Sequence, residues 1–382
     1  MQAARTIDRP KRELYVDYSM IFIVLFLLTF GLIMLYSTSS YEASIDYHDS
    51  AYYFKKQLGF TILGIGVMAI VSRIPYRLYK KFAVFMYAFA AVMVLLVKTG
   101  FGKEVNGARR WLRFGPIGIQ PAEIAKLCMI IVMASLIAAA NRKIATTRGF
   151  WTTFLIPAPI SIMVWQITEN LSSAIIIYGI TFLMLFVSTP GYRRFIIIVT
   201  GVVGLAAIIV FAIAKAGYNS ELNFRFVRIL AWLDPEAYVN DKGYQTLQAL
   251  YAIGSGGIFG KGLGESMQKL GFIPEAQNDM IFSIICEELG LLGAVAVLFM
   301  FALLIWRMVI VANNAPDMYG ALLVIGVIGH IALQVILNVA VVTNTIPNTG
   351  ITLPFISYGG SATVFLLIEI GIVFNVARNI EL

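Results

Sequence analysis

Residues 269–293, KLGFIPEAQNDMIFSIICEELGLLG, put Pro274, Glu275 and Asp279 just before a long apolar run. A carboxylate at the start of a helix can cap free N–H groups and is favoured by the helix dipole. The same carboxylate, partly desolvated, gains a raised pKa and can act as a general base. Residue type and position alone do not separate cap from base at Asp279. Glu287 and Glu288 lie two turns further on, inside the apolar run, where ionisable groups are costly and face the protein interior. Adjacent carboxylates on a helix do not both point at one substrate, so a structural partnership with Lys or Arg is their simpler reading. Glu123 and Lys126, three residues apart at the start of another apolar run, are spaced to meet on one helix face. They form either a local salt bridge or part of a charged cavity. NGARRW, residues 106–111, joins the turn residues Asn106 and Gly107 to Arg109, Arg110 and Trp111. That combination suits a grip on phosphate beside an interfacial ring, or contact with bulk lipid headgroups.

Other segments exclude chemistry rather than supply it. The glycine-dense run 251–264, YAIGSGGIFGKGLG, fits neither GxxxxGK[ST] nor a strand followed by a helix, so close packing or a re-entrant turn is expected instead of a nucleotide site. Residues 344–362, NTIPNTGITLPFISYGGSA, are uncharged and rich in turn formers. Irregular backbone at membrane depth must be buried in protein or line a cavity, and the expectation is a broken helix bordering a substrate site. Cys128 and Cys286 sit inside apolar runs, and His48 and His330 share no ligand spacing with each other or with cysteine. No disulfide framework or transition-metal centre is implied.

The elements that must hold these residues are membrane helices. The 382 residues are 59% hydrophobic and 13% charged, against about 45–50% and 25% in soluble domains. About ten runs approach the roughly 20 apolar residues of a span: 19–38, 57–74, 82–98, 122–140, 150–167, 172–189, 194–214, 280–311, 319–342 and 358–378. The fold class is therefore an all-α polytopic membrane protein, with a cytoplasmic tail at 1–18 and one membrane domain at 19–382. The basic leader (Arg5, Arg9, Lys11, Arg12) precedes a run too long for a signal peptide. Alternating loops put Arg73, Lys80, Arg142, Arg148, Arg193, Arg307 and Arg378 inside with both termini. The net charge of +8 then reports topology and anionic headgroups rather than nucleic acid. Two outer segments stand out. The connection 99–121 carries Lys103, Arg109, Arg110 and Arg113, and the stretch 215–279, between the seventh and eighth spans, is too long to be slack chain. Within it, LNFRFVRILAWLDPEAY has the spacing of a helix lying on the membrane surface.

Taken in order, NGARRWL, QPAEIAK, DPEAY, GYQTLQALYAIGSGGIFGKGLG, PEAQNDMIFSIICEELG and NTGITLPFISYGGS resemble the SEDS family (shape, elongation, division and sporulation) over residues 15–380. NGARRW and GKGLGESMQKLGFIPEA look more like its FtsW-like division and sporulation branch than its RodA-like elongation branch. The resemblance implies a peptidoglycan glycosyltransferase of the bacterial cytoplasmic membrane. Such an enzyme polymerises lipid II at the outer face, beside a class B penicillin-binding protein and other division proteins. It also implies Asp279 as the catalytic acidic residue, Arg109, Arg110 and Trp111 as functional residues of the outer connection, and Glu123 with Lys126 as the charged pair of the fourth span. Two positions depart from the pattern: Gln277 and Asn278 replace a common His-Thr, and Glu169 and Asn170 replace a common Pro-Asp.

The residues suit that reaction. A diphosphate leaving group needs cations, for which Arg109, Arg110 and Lys126 are candidates, and the acceptor hydroxyl needs one base, Asp279. A divalent cation (Mg or Mn) could assist, although no ligand cluster demands one. Two other readings stay open: a lipid II flippase, which needs an anionic-headgroup cavity and a polar path across both faces, and a non-catalytic division scaffold.

Overall fold

The computed structural model describes residues 17–105, 108–114, 117–216, 224–238 and 243–380. The basic leader, most of the expected 1–18 tail, and the Asn106-Gly107 turn lie outside them. The helices are α1 Tyr18–Tyr47, α2 Tyr52–Val71, α3 Arg77–Lys81, α4 Ala83–Leu95, α5 Pro121–Ala140, α6 Thr147–Leu155, α7 Ala158–Ile167, α8 Leu171–Ser188, α9 Arg193–Ala216, α10 Phe224–Leu233, α11 Gly243–Gly256, α12 Ile281–Asn313, α13 Met318–Val342 and α14 Gly360–Arg378. Among the described residues, nine helical stretches are long and apolar enough to cross a membrane, and Ala83–Lys98 is a shorter apolar helix. The chain is a multi-pass, predominantly α-helical membrane protein.

The structure refines three expectations. The span 150–167 stands as one apolar crossing, Thr147–Ile167, broken into α6 and α7 at Pro157, whose ring removes a backbone donor and clashes with the preceding turn. The first span runs on past residue 38 to Tyr47. The outer connection is not plain loop. Its strands β1 Gly102–Val105, β2 Ala108–Phe114 and β3 Ile117–Ile119 form an antiparallel sheet in the order β1-β2-β3, with Glu104 opposite Arg109 and Lys103 opposite Trp111.

Capping and cross-helix bonds fix one end of the bundle. Asp17 caps α1 by accepting from the Met20 amide and also accepts from Arg307 of α12 at 2.8 Å. Asp317 caps α13 and accepts from the Tyr76 hydroxyl and Arg77. At the opposite end, the sheet, the α7–α8 turn, α10, α11 and the segment after α13 meet. Helices α5, α8, α12, α13 and α14 supply most of the apolar interior, whereas α9 has almost no buried face.

Candidate active site

Asp279 lies two residues before α12, whose N-cap is Met280, and no side chain caps that end. The capping reading therefore fails on geometry, although Asp279 sits where a cap is expected. Its backbone carbonyl accepts a hydrogen bond from Asn338 Nδ2 of α13 at 2.8 Å. Asn338 also donates to the Ile351 carbonyl at 2.6 Å, so one buried amide joins the base of α12 to the irregular segment after α13. A Cβ at Gly350 would lie 3.8 Å from Asp279 Oδ2, which puts that segment against the carboxylate. Gly350 has φ +70, a conformation glycine adopts without a Cβ penalty. Burial pushes the Asp279 carboxyl up to about 6; the Glu275 charge adds to this, while its own backbone amide and Arg228 oppose it. The side chain is nevertheless only partly withdrawn from solvent, so a substrate hydroxyl can reach it.

The loop that carries Asp279 is anchored deep in the bundle. Glycine 290 breaks α12 with φ +67, and the glycine-dense run fills the gap. Lys261 and Gly262 amides donate to the Glu287 and Glu288 carbonyls, and Leu291 and Leu292 amides donate to Gly257 and Ile258. A Cβ at Gly290 would sit 2.3 Å from the Gly260 nitrogen, so two backbones touch where only glycine fits. Of the two alternatives the sequence left, close packing or a re-entrant turn, close packing is what these contacts show. Side chains complete it. Glu287 pairs with Lys261 at 2.7 Å and also accepts from Ser266. Glu288 pairs with Lys269 at 2.8 Å and accepts from Ser37 of α1 at 2.7 Å. The two glutamates are thus structural partners of lysines, as the bland reading held.

The remaining expected site residues spread around this centre. Glu123 and Lys126 meet at 2.7 Å in the first turn of α5, both buried, leaving Glu123 Oε2 without a hydrogen-bond partner among the described residues. Arg109 is exposed, 3.7 Å from Glu104, and lines a cavity of about 480 Å³ with Val97, Lys98, Gln166 and Glu169. Trp111 packs over Gly118. Arg110 donates to the Glu169 carbonyl at 3.2 Å. The register shifts between the Lys103–Trp111 and Glu104–Arg109 pairs, leaving Arg110 as the extra residue of a bulge, and Arg109 and Arg110 both meet Glu169, one across the cavity and one at its carbonyl. Arg109 meets Glu104, and Glu123 and Lys126 meet each other, rather than Asp279. The link is indirect: Glu169 adjoins Asn170, the cap of α8, and Ser172 in its first turn donates to the Thr349 carbonyl at 2.7 Å, next to Gly350.

Sequence reasoning missed a cation whose charge acts on Asp279. Arg228 and Trp232, one turn apart on α10, line a second cavity of about 240 Å³ with Tyr244, Gln245, Thr246, Pro274 and Asn348. Their i, i+4 spacing was visible, and only the identity of the facing surface was hidden. At the departing positions, Gln277 is buried beside Glu42, and its carbonyl accepts from the Tyr358 amide at 2.9 Å. Among the described residues, no group of three or more His, Cys, Asp or Glu comes together.

Comparison with known proteins agrees with this architecture. The chain is 36% identical over 365 residues to the stage V sporulation protein E of Bacillus subtilis, covering 95% of this chain and 97% of that one. It is 34% identical over 375 residues to a probable peptidoglycan glycosyltransferase FtsW of Trichlorobacter lovleyi, covering 98% and 96%. Among solved structures, a chain of a peptidoglycan synthase complex that coordinates polymerization and crosslinking superposes with a TM-score of 0.79 at 26% identity, covering 96% of this chain and 99% of that one. The model of the cell cycle protein family that groups FtsW, RodA and SpoVE matches residues 18–382, and the chain belongs to that family.

Proposed function

We propose that the protein is a peptidoglycan glycosyltransferase that polymerises lipid II, with Asp279 as its general base. The observation that carries this reading is a partly accessible carboxylate, with a pKa of about 6 and no capping duty, beside a cavity that holds an arginine. As the acceptor sugar hydroxyl attacks the anomeric carbon of the donor, its proton passes to the Asp279 carboxylate. The bond from that carbon to the diphosphate breaks, and the electron pair leaves with the polyprenyl diphosphate. Backside attack on an α-linked donor gives a β-linked glycan without a covalent enzyme intermediate. A pKa just below neutral keeps the base ionised at working pH while leaving it stronger than an ordinary carboxylate. Arg109, Arg110 and Lys126 neutralise the departing diphosphate, with Trp111 and Glu123 shaping the site.

The end of the bundle that carries Asp279, the sheet and α10 faces outward from the bacterial cytoplasmic membrane, and both termini are cytoplasmic. A class B penicillin-binding protein crosslinks the glycan, in keeping with the synthase complex that this chain resembles. A flippase reading draws less support, because the ionisable groups inside the bundle are bound to one another: Glu288 to Lys269, and His330 to Glu369 at 2.8 Å. Purified protein incubated with lipid II, with and without the transpeptidase, tests the reading. Glycan polymer is expected, and translocation without polymer would refute it.

A further inference from the structure

We propose that the cavity lined by Arg228, Trp232, Tyr244, Gln245 and Asn348 is the subsite that holds the acceptor's terminal N-acetylated sugar against Asp279. This rests on the glycosyltransferase reading and says where one of its two substrates sits. Two of its walls come from the segments that flank the candidate base: Pro274 is in the loop that leads to Asp279, and Asn348 lies two residues before Gly350, where a Cβ would be 3.8 Å from the carboxylate. At about 240 Å³ it has room for one sugar ring, being smaller than the roughly 300–1,000 Å³ of sites for larger ligands. Its chemistry is that of a saccharide site: two amphipathic rings, Trp232 and Tyr244, for the apolar face of a pyranose, with amide and guanidinium groups for hydroxyls and the acetamido group. A lipid tail would not need this polar set, and a diphosphate would not need the rings.

The polar groups are already fixed in place. Asn348 Nδ2 donates to Gln245 Oε1 at 3.0 Å, and Gln245 Nε2 donates to the Pro274 carbonyl at 3.2 Å. Trp232 Nε1 donates to the Asn344 carbonyl at 2.9 Å, which ties α10 to the segment after α13. The cavity walls therefore come from α10, α11 and two separate connections, and they are held together before any ligand arrives. Such pre-organisation lowers the ordering cost of binding.

The test separates acceptor from donor. A lipid-linked disaccharide-peptide whose terminal hydroxyl is capped serves only as donor, and an uncapped soluble disaccharide-peptide without lipid or diphosphate serves as acceptor. Tyr244→Ala and Gln245→Leu are expected to raise the acceptor KM about tenfold with the donor KM within threefold of the parent, and Arg228→Gln to do the same while also moving the acid limb of kcat upward, because its charge bears on Asp279. Arg228→Lys should recover part of the loss. Melting of the purified protein should be raised by the soluble disaccharide-peptide in the parent and not in Gln245→Leu. An active parent whose acceptor KM is unchanged in all three variants, or whose donor KM rises instead, overturns the assignment. A parent that forms no polymer but is still stabilised by the disaccharide refutes the glycosyltransferase reading and leaves the sugar subsite standing.

Discussion

Replacing Asp279 by Asn tests the base through stability as well as through rate. In the folded protein the carboxyl titrates near 6, against an ordinary 3.8. Between these values the folded state holds a proton that the unfolded state has lost, so stability falls as pH rises through about 6 and is flat above it. The difference corresponds to about 3 kcal/mol at neutral pH. Asn keeps the volume and carries no charge, so the variant lacks this loss. Relative to the parent, it should gain about 3 kcal/mol between pH 4 and pH 7.5, read as a melting temperature several degrees higher at the upper pH in detergent. Its polymerisation of lipid II should fall by about 10²–10⁴, and the parent's rate should rise through pH 6 to a plateau. A more stable, inactive variant is the signature of a carboxylate kept uncomfortable for function. Polymerisation within threefold of the parent at matched folded concentration, or a stability difference that does not change with pH, would refute the reasoning.

Three further outcomes follow from the geometry. Gly290→Ala should abolish accumulation of folded protein, because its Cβ meets the Gly260 backbone, whereas Gly254→Ala, with open space around it, should fold normally; yields of monodisperse protein decide. Arg109→Ala with Arg110→Ala should cut lipid II consumption at least tenfold while the Lys pair retains more, since Lys keeps the charge but not the paired bonds; parent-level turnover in the Ala pair would mean these arginines bind bulk headgroups. After Cys128 and Cys286 are removed, single cysteines at the exposed Lys103 and Glu236 should react with an impermeant thiol reagent on intact cells, and those at Lys80 and Arg148 should not, as the charge asymmetry of the loops requires.

The spans were legible because long apolar runs admit few alternatives in lipid, and residues 19–38, 122–140, 172–189 and 319–342 fall on observed helices. The sheet was not, because ARRWLRF places two arginines side by side and so hides the period-2 alternation of a strand. The roles of Glu287 and Glu288 were legible in kind but not in partner. Ser37, which bonds Glu288, is 251 residues away, and no local pattern reports such a contact. At Asp279 the position was legible and the conformation was not. Whether a carboxylate caps a helix depends on how the chain enters it, and here Met280 occupies the cap. Arg228 was read as part of a surface helix because spacing defines a face without saying what that face meets.

A raised carboxyl pKa persists only while the chain holds that group away from water. Within residues 271–278 the Pro274 and Gln277 carbonyls, accepting from Gln245 and the Tyr358 amide, resist an outward swing of Asp279. A charged anchor adds to them one step earlier in the chain, where Lys269 Nζ bonds both Glu288 and Ser37 in a buried site. Removing one partner of a buried pair costs about 3–5 kcal/mol because the other charge is stranded, so Lys269→Met should loosen the loop and Lys269→Met with Glu288→Gln should restore much of the stability. In the single variant, measured under conditions where it stays folded, the acid limb of the rate profile should move from about 6 toward 3.8 as Asp279 gains water. The double variant should bring only part of it back, since it removes the stranded charge without rebuilding the tie to α1. An acid limb that stays at about 6 in folded Lys269→Met would show that the Pro274, Gln277, Asn338 and Gly350 contacts hold the base without that anchor.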